Sequence, residues 1–319
     1  MKFKLSEIEI RVLRLVCQKE WSAGALAWRL GVKRSFLSRV LKDLNEKGLV
    51  LTEKQGVRKT VRLSIAGHAQ TFKILSDSRP GSNIEGFLSG FALSVLVSAI
   101  GDAHQIISHH QGSMLGVLGF GKEEGTSMEV LLKEAGCSKT TLYKVLRRLE
   151  GAGLIQKKNN SIIVSDSLVY SFAISYADNI QLLIQQKLEG VENASVRVRK
   201  HAIVRTTAGK VPEFFSETGV SALAKKGLEA TLTSFRDYYF NLDEKKEELT
   251  IEDFFAHALL LAKLKQQDLL VLELFFAKNE GRFNIQRLKK IAEEYGVAQE
   301  FDETRRKVAF YDKMKLELR

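Results

Sequence analysis

The chain has 319 residues, 45% hydrophobic and 27% charged, with a net charge of +11 at pH 7, a length and apolar content that suit two or three domains with filled cores. The apolar run "FLSGFALSVLVSAI" falls short of the about 20 residues a membrane span needs, and acids and bases mixed through "MKFKLSEIEIRVLRLV" exclude a signal peptide. Cys17 and Cys137 are the only cysteines, which excludes a disulfide framework and fits a cytoplasmic location.

The charge is uneven. Residues 1–80 hold 17 Lys/Arg against 7 Asp/Glu, 81–180 hold 8 against 9, and 181–319 hold 24 against 22. A positive field confined to the N-terminal end suits a polyanionic partner.

In chain order, "LSEIEIRVLRLVCQK" places Ile8, Val12, Leu15 and Val16 on one helical face, started by a Ser6–Glu9 capping box. "SAGALAWRLG" predicts a short helix opened by Ser22 and closed by Gly31. The next helix buries Leu37, Val40, Leu41 and Leu44 and stops at Gly48, with Phe36 expected to pack under the second helix, the alternative being contact with a thymine methyl. Opposite its apolar stripe stand Lys33, Arg34, Ser35, Ser38, Arg39 and Lys42. "LVLTEK", a turn at "QGVR" and "KTVRLSI" then predict a two-stranded ribbon with Arg58 and Lys59 near its tip and Arg62 behind them.

Two helices, a basic helix and a basic hairpin follow the order of a winged helix-turn-helix. Such a helix fits the major groove of B-DNA, where Arg and Lys meet guanine edges, and the hairpin lies along phosphates. Over residues 5–78, including "LSRVLKDLNEKGLV" and "RLSIAGHAQTF", the chain resembles MarR-like winged-helix transcription regulators of archaeal type. Where such proteins often show Leu-Thr-x-x-Gly, this chain has Leu63-Ser64-Ile65-Ala66-Gly67.

The third helix is repeated. "GVKRSFLSRVLKDLNEKGLV" (31–50) and "GCSKTTLYKVLRRLEGAGLI" (136–155) match at Gly31/Gly136, Leu37/Leu142, Val40/Val145, Leu41/Leu146, Leu44/Leu149, Gly48/Gly153 and Leu49/Leu154. A Thr126–Glu129 capping box is expected to open the helix before the second copy, and Asn159-Asn160 to turn a short second wing. Lys139, Thr140, Thr141, Tyr143, Lys144, Arg147 and Arg148 face outward and form a secondary set of candidate DNA contacts. The alternative is a degenerate copy used for dimerisation or docking.

Between the copies, "RPGSN" reads as a linker. "IEGFLSGFALSVLVSAI" reads either as the first helix of the second copy or as a dimerisation helix. The near phosphate loop "GVLGFGKEEG" carries Glu at position 123 in place of a hydroxyl for magnesium, and reads as a glycine connection. Asp102, His104, His109 and His110 suit no common metal spacing and read as a surface loop.

After "SLVYSFAISYADNIQLLIQQKLEG", a helix expected to bridge forward, "SVRVRKHAIVRTT" and "TLTSFRDYYFNL" alternate like strands. Helices are expected at "GVSALAKKGLE", at "TIEDFFAHALLLAKL" with a Thr250–Asp253 cap, at "DLLVLELFFAKN" and at "NIQRLKKIAEEYGV". This third resembles domains that follow winged helices in archaeal regulators, and more distantly AbiE-type antitoxins, which implies docking or a link to transcription. His257 reads as a core histidine.

The expected architecture is mainly α with small β wings: tandem winged helix-turn-helix domains and a C-terminal α+β domain. Its boundaries are 1–78, a linker and apolar helix at 79–112, 113–180 (with a start near 84 as the alternative), and 181–319. No Asp-x-Asp, Gly-x-Ser-x-Gly, His-Glu-x-x-His or Cys-x-x-Cys occurs, so neither catalysis, cofactor nor metal is expected. Cys137, near a helix start, reads as a small packed residue matching Val32. The expected activity is sequence-specific binding of double-stranded DNA by a regulator acting as a homodimer. The alternatives are an antitoxin that represses its own operon and docks a toxin through the C-terminal domain, and a module recruiting general transcription factors.

Overall fold

The computed structural model describes residues 3–56, 58–100, 103–106, 125–190, 192–227, 234–264 and 268–317. The protein is mainly helical with small antiparallel sheets. No helix among the described residues is long and apolar enough to cross a membrane. Unit 1 takes the described residues of 1–101 and 121–184, and unit 2 those of 102–120 and 185–319.

Unit 1 begins with α1 (Glu7–Gln18), where Ser6 Oγ accepts from the Glu9 N–H at 3.4 Å and the Glu9 carboxylate accepts from the Ser6 N–H at 2.6 Å. This reciprocal pair satisfies backbone donors that a helix start leaves open. β1 (Trp21–Ser22) leads into α2 (Ala23–Leu30), capped by Ser22 and ended by Gly31 at φ 65°, a left-handed conformation that suits glycine. α3 (Arg34–Glu46) buries Leu37, Val40, Leu41 and Leu44, and the hairpin β2 (Val50–Gln55) and β3 (Arg58–Leu63) follows. The strands lie in the order β1-β3-β2, and α4 (Gly67–Asp77) comes after them.

The stretch expected as linker and apolar helix is more structured than its sequence suggests. It forms α5 (Ile84–Leu88) and α6 (Ala92–Ala99), and every residue of α6 is buried. α6 packs on α7 (Met128–Ala135) and α8 (Lys139–Gly151) of the second copy as α1 packs on α2 and α3 of the first. Ala103–Ile106, expected in a surface loop with His104, is instead strand β4 of unit 2. His109, His110 and the glycine stretch up to Glu124 lie outside the described residues. The chain then resumes unit 1 with β5 (Thr126–Ser127), α7 (Met128–Ala135), α8 (Lys139–Gly151), β6 (Ile155–Lys158) and β7 (Ser161–Val164), ordered β5-β7-β6. The Thr126–Glu129 capping box does not form. Thr126 belongs to β5 and donates to the Ala99 carbonyl at 3.2 Å, so the cap moves one residue on, to Ser127, which accepts from the Val130 N–H.

α9 (Ser167–Gln185) does not serve as the expected bridge; it belongs to the core of unit 1. Val169, Phe172, Ala173, Tyr176, Ala177 and Ile180 are all buried. Phe172 meets Phe72 of α4 edge-on at 5.3 Å, and the Tyr176 hydroxyl donates to the Phe3 carbonyl at 2.8 Å. Both copies of the basic helix fall within unit 1, and α9 buries its apolar residues there.

Unit 2 is built on a five-stranded antiparallel sheet. β8 (Glu192–Val198) and β9 (His201–Thr206) form a hairpin, β10 (Ser216–Thr218) runs into α10 (Gly219–Ala224), and β11 (Arg236–Asn241) is the aromatic strand. The order is β10-β11-β9-β8-β4. α11 (Ile251–Lys263), with its Thr250–Asp253 cap, α12 (Leu269–Asn279), α13 (Ile285–Glu294) and α14 (Ala298–Glu317) join it in a core that unites Val196, Ile203 and Tyr239 with Phe255, Phe276 and Phe301. Arg205 and Asp237 pair across β9 and β11 through two hydrogen bonds, 2.7 and 3.1 Å, the bidentate geometry that best offsets burial of both charges.

Candidate nucleic-acid interface

α3 is fixed from below. Its apolar stripe is almost fully covered, and each buried Leu contributes about 1.5–3 kcal/mol. The opposite side is left to solvent: Lys33, Arg34, Ser35, Ser38, Arg39 and Lys42 are all exposed. Lys42 stands 3.8 Å from Glu46, an exposed pair of the kind worth only tenths of a kcal/mol. Phe36 departs from expectation. It is 39% exposed instead of packed under α2, with the Arg39 guanidinium 5.9 Å from its ring centre.

The hairpin adds a second cationic element. Gln55 pairs with Arg58 and Lys54 with Lys59 across the turn, and Gly56 adopts φ 61°. Like charges directly opposite one another destabilise a ribbon, so the Lys54–Lys59 pair has a physical reason to take up an anion. Lys54 escaped the sequence reading because only the register shows it facing Lys59. Arg62 is already engaged: half-buried, it pairs with Glu53 of the neighbouring strand. That pair is exposed too, so it holds Arg62 only weakly.

Between helix and hairpin lies a cleft of about 450 Å³ lined by Ser22, Gly24, Arg34, Ser38, Arg58 and Lys59, together with Ala23 and Leu37. Three cations and no carboxylate face it. Gly24 leaves room for Arg34, whose guanidinium lies 3.6 Å from where a side chain at that position would begin. A larger cavity, about 620 Å³, opens where Asp43 and Glu46 of α3 meet Glu9 of α1, with Lys4 and Lys47 beside them. Its three carboxylates against two lysines make it the poorer host for a phosphate, so charge outweighs size.

The second copy presents a similar but weaker face. Lys139, Thr140, Tyr143, Lys144, Arg147 and Arg148 are exposed on α8. Thr141 is not free: it is half-buried in the helix cap, its hydroxyl 2.9 Å from that of Ser138. Arg148 donates to the Ser89 carbonyl at 3.3 Å, and partial burial lowers its pKa from the ordinary arginine value. Asn159 and Asn160 take φ 48° and 64°, the backbone of the expected tight turn, leaving Lys157 paired with Glu150 at 2.8 Å.

The remaining titratable candidates are internal. Burial pushes the Cys17 thiol up to about 12. His257 is fully buried in unit 2, 2.7 Å from Thr218 Oγ1 and stacked on Tyr239, and burial drives its pKa down to about 3. No group of three or more metal-ligating side chains gathers among the described residues.

No protein-family model matches the chain, and no curated protein matches its sequence. Among solved structures it is similar to an IcIR transcriptional regulator from Alicyclobacillus acidocaldarius. The two share 14% identity, with 90% of this chain and 97% of that one covered, at a TM-score of 0.18. A likeness that low fixes no family.

Proposed function

We propose that the chain is a sequence-specific double-stranded DNA-binding transcription regulator. In this reading each copy in unit 1 is a winged helix-turn-helix of the kind MarR-like regulators carry, α3 enters the major groove, and the β2–β3 hairpin is its wing. The observation that carries it is the carboxylate-free cleft in which Arg34, Arg58 and Lys59 converge beside the exposed Arg39 and Lys42. Arg34, Arg58 and Lys59, with Arg39 and Lys42 beside them, meet phosphates, while the hydroxyls of Ser35 and Ser38 approach base edges. α8 serves as the secondary contact.

The test is fluorescence anisotropy on genomic fragments. With six or more phosphates contacted, affinity falls by about 10³-fold or more between 50 and 200 mM salt. The double variant Arg39→Glu/Lys42→Glu abolishes binding, and Lys144→Glu/Arg147→Glu weakens it less. Equal loss in both would overturn the ranking of the two faces, and salt-independent binding would overturn the whole proposal.

A further inference from the structure

We infer that unit 1 is two DNA readers joined in one chain, so that a single molecule engages one duplex, α3 on one half-site and α8 on a second half-site of different sequence. The inference rests on the DNA-binding reading proposed above and replaces the homodimer expected from the sequence.

Three sets of observations lead to it. First, the copies are equivalent in detail. Ser22 and Ser127 cap the second helix of each, and Gly31 and Gly136 end it at φ 65° and 59°. The Leu49 N–H donates to the Leu44 carbonyl at 3.0 Å, and Leu154 does the same to Leu149 at 2.9 Å. Ser64 returns to the Leu49 carbonyl at 3.0 Å, as Ser165 does to Leu154 at 3.0 Å.

Second, the copies are joined by a buried aromatic contact and by partly buried polar ones, as subunits of a dimer would be. Phe172 lies against Phe72, Thr71 and Ser175 share a hydrogen bond of 2.8 Å, and Asn179 donates to the Lys47 carbonyl at 3.1 Å. Arg14 holds Glu85 at 3.0 Å, and Arg79 pairs with Asp166. On the helices α4 and α9, Phe72, Leu75, Phe172, Tyr176 and Ile180 are buried within the chain, while Ile74 of α4 stays exposed. A regulator with one reader per chain gains its second by pairing with a copy of itself. Here the second reader is already in place.

Third, the two outward faces share three cation positions and differ at others, one of them in charge. Arg34/Lys139, Arg39/Lys144 and Lys42/Arg147 keep a cation at each equivalent position, as phosphate contacts require, whereas Phe36/Thr141, Ser38/Tyr143 and Asp43/Arg148 do not correspond. A symmetric dimer presents identical helices and so favours a palindromic operator. Two unlike helices favour two unlike half-sites.

The experiment uses the full chain and duplexes of about four helical turns (~40 base pairs) selected by it from a random pool. Light scattering is expected to give one chain per duplex, and hydroxyl-radical footprinting two protected patches of unrelated sequence. The exposed double variant Lys144→Gln/Arg147→Gln is expected to erase one patch and reduce the salt slope by about 2, and Arg39→Gln/Lys42→Gln to erase the other. Two chains on a palindromic site would overturn the inference, as would a footprint that the α8 variant leaves intact; in either case the DNA-binding reading survives. Failure of the wild-type chain to bind any duplex would sink both.

Discussion

Replacing Glu9 with Gln removes one charge from a buried ion pair of unit 1. Lys47 Nζ bonds to the Glu9 carboxylate and, at 2.9 Å, to the Lys4 carbonyl, with both residues at 5% exposure or less. The Gln variant keeps acceptors for the Ser6 N–H and hydroxyl, so the cap of α1 survives and the loss isolates the charge. An ammonium left in that site with one carbonyl partner costs about 3–5 kcal/mol. Lys47→Met costs less, about 2 kcal/mol, because the stranded carboxylate still accepts two bonds from Ser6, each 2.6 Å. The double variant Glu9→Gln/Lys47→Met removes both charges and is expected to cost only about 1–2 kcal/mol, far below the sum. Urea unfolding followed by tryptophan fluorescence reads this directly, since the chain's two tryptophans, Trp21 and Trp28, both lie in unit 1. If the double variant loses the sum of the single losses to within about 0.5 kcal/mol, the pair is not coupled and the reasoning fails.

Two further outcomes follow from buried groups. Burial lowers the His68 pKa from 6.5 to about 4, so the unfolded chain takes up this proton first. Stability of unit 1 should therefore fall by up to about 3 kcal/mol as pH drops from 6.5 through 4, and a His68→Gln variant should show a flatter profile in the same urea assay. In unit 2, Gly219 takes φ 57°, and a side chain there would begin 2.6 Å from Asp237 Oδ2. Gly219→Ala should lower the thermal midpoint of unit 2 and cost at least about 1 kcal/mol, and an unchanged midpoint by calorimetry would contradict the geometry.

Much of the site was legible because its signals are local. The stripe Leu37, Val40, Leu41 and Leu44 and its copy at Leu142 to Leu149 lie at helical spacing, and each is buried. The caps at Ser6, Ser22 and Thr250 follow from side chains three residues from their partners. What was missed depends on distant partners. The apolar pattern of α9 reads the same whether the helix bridges two domains or fills one; only Phe72 and Phe3 on the other side decide it. The Glu53 that occupies Arg62, and the Ser89 carbonyl that holds Arg148, are likewise set by pairing that periodicity does not reveal. Thr126 and Ser127 are neighbours with equal capping chemistry, and the one-residue shift comes from the buried Thr126 hydroxyl donating to the Ala99 carbonyl.

The placement of β4 has a practical consequence. Its partner β8 begins some way beyond the last residue of α9, so the sheet of unit 2 is completed by a segment encoded well upstream of the rest of it. A truncated product that starts after α9 would carry β8 with its outer row of amide and carbonyl groups uncapped, a template for adhesion between molecules. Expression trials on the C-terminal third should supply that missing strand, grafted ahead of β8 or added as a peptide, and soluble yield with and without it would measure how much the graft contributes.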